Sequence, residues 1–84
     1  MATLSNMYLR LNSLDPRVKA ELFRDGGHHR IIVFIDGMRK GYLTRSSCPG
    51  RFEFWQDGWN WAPEYTPIQV ELLIITYLRN NTLY

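Results

Sequence analysis

Apolar residues fall along this chain in two kinds of run. The first is short and punctuated. Residues 29–35 carry Ile31, Ile32, Val33, Phe34 and Ile35 in succession, and turn signals at Asp25-Gly26-Gly27, Asp36-Gly37, Cys48-Pro49-Gly50 and Asp57-Gly58 bracket it and its neighbours. Such spacing predicts a meander of short antiparallel strands joined by tight turns. A strand apolar on both faces belongs at the centre of a sheet, so residues 29–35 are expected there. Residues 41–45 follow across the Asp36-Gly37 turn, and residues 51–56 place Phe52 and Phe54 on one face and Trp55 on the other.

The second kind of run is long and closes the chain. Thr66-Pro67-Ile68-Gln69 is a helix start: Thr66 and Gln69 have the spacing of a reciprocal capping box, and proline suits the first helical position. A helix over residues 67–79 is predicted. On a helical wheel Val70, Leu73, Ile74, Tyr77 and Leu78 form a stripe for packing on the sheet, while Ile68, Leu72 and Ile75 form a second one. This helix should therefore be covered on two sides, by the sheet and by either the N-terminal segment or another chain.

Two segments are ambiguous. Asp15-Pro16 resembles a helix start, yet Val18, Ala20 and Leu22 alternate. A strand over residues 17–24 is preferred, because it forms one arm of a hairpin into the central strand, whereas a helix of about two turns is marginal alone. Residues 7–11 read as an additional strand, with Tyr8 and Arg10 opposite Leu9 and Leu11. The expected architecture is α+β: an antiparallel sheet of about four strands with a C-terminal helix packed on one face, a two-layer sandwich.

Length and charge bound the rest. The 84 residues, 1–84, make a single small domain, and a 45% hydrophobic share with 14% aromatic is enough for a core. Cys48 stands alone, so no internal disulfide is expected; with no secretory signal pattern at the start and no run long enough to span a membrane, a soluble cytoplasmic protein is expected. Net charge is +2, with nine of the ten Lys/Arg in residues 1–51. Those cations either form a basic patch or pair with the acidic C-terminal part.

Residues 55–65 hold Trp55, Trp59, Trp61 and Tyr65 in a stretch too broken by turns and prolines to bury every ring. Trp and Tyr anchor protein interfaces because they bury much area at little rotamer entropy. The bland reading is that Trp59 and Trp61 cap the core beneath a loop. Arg30, Arg39, Lys40, Arg45 and Arg51 could hold phosphates beside such rings, although Glu53, Asp57 and Glu64 sit among them.

Catalytic and ligand signatures are sparse. His28 and His29 alternate to opposite faces, so at most one should join a given site. With no Cys-x-x-Cys or His-x-x-x-His spacing, no metal is expected. Ser46, Ser47 and Cys48 read as a turn, and no glycine pattern fits a nucleotide cofactor. The run Gly26-Gly27-His28-His29 before an apolar strand, followed by a hairpin and a terminal helix, is similar in outline to the small HicA-type RNA-cleaving toxins. That resemblance covers about four residues of motif, and the chain departs from the family in not being Lys-rich. It implies His28 or His29 as acid–base in RNA cleavage.

Two functions compete. The first is a non-enzymatic protein-interaction module with Trp55, Trp59, Trp61 and Tyr65 as partner-binding surface and Ile68, Leu72 and Ile75 as a homodimer interface. Free-standing proteins of this size are often carried by bacteriophages or mobile elements to block a host complex, anti-CRISPR-like inhibitors among them. The second is an RNA- or DNA-binding protein, or a ribonuclease, using the five basic residues with His28 or His29.

Overall fold

The computed structural model describes residues 3–80. In chain order the elements are α1 (Leu4–Asn12), β1 (Val18–Asp25), β2 (His28–Ile35), β3 (Met38–Arg45), β4 (Phe52–Gln56), β5 (Glu64–Tyr65) and α2 (Pro67–Asn80). All five strands pair antiparallel in the order β1-β2-β3-β4-β5, so each strand lies beside its neighbour in sequence. The turns explain the simplicity. Gly26 and Gly27 have φ of 54° and 88°, and Asp36 and Gly37 have 53° and 79°. Positive φ at both central positions is what a two-residue hairpin turn needs to match strand twist.

Alternation then sorts the side chains. Val18 and Ala20 of β1, Ile31, Val33 and Ile35 of β2, Leu43 of β3, and Phe52 and Phe54 of β4 are all buried on one face. Leu4, Met7 and Leu11 of α1 and Val70 and Ile74 of α2 complete that core. Both helices therefore cover the same face, α1 mainly over β1 and β2 and α2 next to β5. Arg10 of α1 donates to Glu71 of α2, joining the two. At the start of α2 the capping box is present: Thr66 N–H donates to Gln69 Oε1 at 2.9 Å and Gln69 N–H to Thr66 Oγ1 at 3.3 Å.

Residues 18–24 of the expected strand over 17–24 fall in β1, with Arg17 in the turn before it, but the N-terminal segment is not a strand. Residues 7–11 form most of helix α1. The buried residues Leu4, Met7 and Leu11 recur at helical spacing, with Tyr8 partly buried beside them. Thr3 caps the helix by accepting from Asn6 N–H at 3.1 Å. Asn12 then ties α1 to the outer edge of β1: its side-chain amide donates to Ala20 C=O at 3.1 Å and accepts from Ala20 N–H at 2.9 Å. That contact occupies backbone groups an edge strand would otherwise present to solvent.

A fifth, two-residue strand exceeds the expected four, Tyr65 lying opposite Phe52 and Glu64 opposite Glu53. Pro63 C=O accepts from Phe54 N–H and extends this edge. Among the described residues no helix is long and apolar enough to cross a membrane.

Candidate binding faces

The other face of the sheet carries no helix. Register places Glu21, Ile32, Tyr42 and Trp55 in one row across β1 to β4, with Phe23 and Arg30 in an adjacent row. None of these side chains is fully buried. Tyr42 and Trp55 are direct cross-strand partners and their rings stack, centroids 6.2 Å apart and planes 14° from parallel. The Arg30 guanidinium lies 5.3 Å from the ring centres of both Phe23 and Tyr42, while Arg39 sits 5.9 Å from Tyr42. Contacts of this kind each contribute about 0.5–1 kcal/mol at exposed sites.

Acidic groups are interleaved with these cations. Glu53 Oε1 accepts from Thr44 Oγ1 and Trp55 Nε1, both at 3.3 Å, and Arg39 Nε donates to Asp57 at 3.3 Å. The face is thus a fixed mosaic of rings and both signs of charge.

The aromatic cluster of residues 55–65 is divided by the fold. Trp55 joins Tyr42 on the open face. Trp59 and Trp61 stack on each other in the loop after β4, centroids 5.1 Å apart, with Trp61 56% exposed. Tyr65 packs against the core from β5, and burial raises its phenol pKa above the ordinary value. The basic residues divide too. Arg30 and Arg39 gather around Tyr42, and Arg45 is exposed at the end of β3. Lys40 occupies the bulge between the Phe34–Arg39 and Val33–Gly41 pairs, and its Nζ lies 4.8 Å from the Tyr77 ring of α2. Arg51 is exposed just before β4.

Sequence reasoning missed Phe23, Ile32, Phe34 and Tyr42 as surface residues. The signal was present. An all-apolar central strand needs cover on both faces, and both helices lie on one.

Along α2, Ile68 and Leu72 are 62% and 56% exposed. Ile75 is half-buried, one turn beyond Glu71, the residue that meets α1. A shallow apolar groove of 220 Å³ runs beside Leu72, between Tyr65, Gln69, Leu73 and Thr76.

At one end the strands are unevenly paired. Pairing of β2 with β3 ends at Ile31–Leu43, whereas β1 and β2 stay paired as far as Asp25–His28 and β3 and β4 as far as Arg45–Phe52. A recess of 490 Å³ occupies this end, lined by His28, His29, Arg30, Thr44 and Arg45 among others. His28 and His29 are both exposed, and both belong to its lining. No protein-family model, curated protein or solved structure matches this chain.

Proposed function

We propose that this protein is a non-enzymatic interaction module that docks a protein partner on the uncovered face of its sheet. The observation that carries the reading is the stacked Tyr42–Trp55 pair flanked by Arg30 and Arg39 on a face that neither helix covers. Trp, Tyr and Arg are the residue types that dominate binding energy at protein interfaces. Here they are held by strand register and ring contacts before any partner arrives, which lowers the entropy cost of docking. Glu21 and Glu53 in the same face suit a partner of mixed charge better than a polyanion.

Blocking a host complex in the cytoplasm, as phage-borne and anti-CRISPR-like inhibitors do, is the form of docking the chain's size suits. The exposed Ile68 and Leu72, with Ile75, are the surface proposed for self-association. Light scattering on wild type and Leu72→Glu tests that part; a wild type monomeric at high concentration removes it.

Affinity capture from the native host tests the main reading. Tyr42→Ala with Trp55→Ala should lose the partner that wild type recovers, and Trp59→Ala with Trp61→Ala measures what the loop rings add. Equal recovery by wild type and the Tyr42/Trp55 variant overturns the proposal.

A second reading, nucleic-acid binding, is favoured by the position of Arg30 and Arg45 at the recess beside the aromatic face. It predicts single-strand affinity that falls steeply with salt, and absence of binding at low salt removes it.

A further inference from the structure

The recess at the end of the sheet adjoins the docking face and shares Arg30 and Tyr42 with it. From its geometry we infer that the recess between β2 and β3 is an anion site for a phosphate group, either free or as a phosphomonoester. Beyond the Ile31–Leu43 pair, β2 brings His28, His29 and Arg30 to the recess and β3 brings Thr44 and Arg45. Every charged side chain among the described lining residues is therefore cationic. Leu4, the first residue of α1, also lines the recess, which brings the positive end of that helix dipole to it.

Position favours these groups as ligands. Arg30 is steadied between the Phe23 and Tyr42 rings, so its fork of donors is oriented in advance. Residues 28–30 and 44–45 take no part in the β2–β3 register pairing. Glu53 of β4, opposite Thr44 of β3, is engaged by Thr44 and Trp55. A ligand must outweigh that carboxylate. A tetrahedral dianion met by two guanidinium forks does so better than a single carboxylate.

The test is an amide NMR titration of the full chain with inorganic phosphate, with sodium chloride at matched ionic strength as the comparison. Saturable shifts confined to residues 27–30 and 42–45 are expected with phosphate. Arg30→Gln with Arg45→Gln should weaken binding roughly tenfold or more, since charge-assisted bonds are being removed. Arg45→Gln alone, at an exposed position, gives a variant whose fold is not at risk, and Arg79→Gln should leave affinity unchanged. Equal responses to phosphate and chloride, or unchanged affinity in the Arg45→Gln and double variants, overturn the site. A short single-stranded oligonucleotide carrying a 5′-phosphate, compared with its 5′-hydroxyl form, identifies the source. Tighter binding of the phosphorylated form than of free phosphate marks a nucleic-acid end, and equal binding marks a small phosphate ligand.

Discussion

Gly41→Ala should damage this protein far more than a one-carbon change in a strand ordinarily does. Gly41 follows the β3 bulge at Lys40 and pairs with Gln56 across β4. A methyl group there would enter the van der Waals shell of the Trp55 carbonyl oxygen, and would lie 2.9 Å from Gln56 Cα and 3.0 Å from Phe54 Cε1. Two of those three obstacles are backbone, so no rotamer change relieves them and β3 must move away from β4. Overpacking of this kind costs about 1–3 kcal/mol, and a strained ladder contact adds about 0.5–1.5 kcal/mol. A total of about 3 kcal/mol corresponds to a drop in Tm of roughly 12–24 °C for a domain of this size. Alanine in a strand is otherwise favoured over glycine by about 0.5–1 kcal/mol, so the predicted sign opposes the intrinsic one. Thermal unfolding followed by circular dichroism measures it. A Tm unchanged within about 3 °C, or raised, would refute the close approach of β3 and β4.

Three further outcomes follow from single contacts. Asn12→Ala removes both bonds to Ala20 at the outer edge of β1 and should cost about 1–3 kcal/mol in urea unfolding, with Asn12→Asp falling between the two. Gln56 is 7% exposed and its amide nitrogen has no hydrogen-bond partner among the described residues, so Gln56→Met should stabilise the fold by about 1 kcal/mol. Burial raises the Tyr65 phenol above its ordinary value of 10.0, which means the unfolded chain gives up this proton first. Stability from Tyr65 is therefore complete below pH 10 and lost as pH rises through the folded value; Tyr65→Phe should flatten this part of the Tm–pH profile.

What the sequence revealed depended on whether a signal was local. The α2 cap was legible because Thr66 and Gln69 satisfy each other within one turn, and the hairpins because Gly26-Gly27 and Asp36-Gly37 supply positive φ. Residues 7–11 misled because Leu9 and Leu11 alternate as a strand does. The helical signal needed Leu4 and Thr3, which lie outside that window. The open face was not legible for another reason. Phe23, Arg30, Tyr42 and Trp55 lie on four different strands, and only the pairing register brings them together. Residues 55–65 looked like one aromatic cluster, yet alternation along β4 sends Trp55 to the sheet face while the loop keeps Trp59 with Trp61. The recess depends on where β2 and β3 stop pairing, a property no single segment encodes.

The claim that the uncovered sheet face receives a partner is tested most directly by photo-crosslinking in the native host. A benzophenone amino acid in place of Phe23, 44% exposed beside Arg30, is compared with the same group in place of Leu9, 61% exposed on α1 at the opposite side of the sheet. A discrete adduct from position 23 and none from position 9 is predicted. An adduct from position 9 alone, or identical products from both, would contradict it.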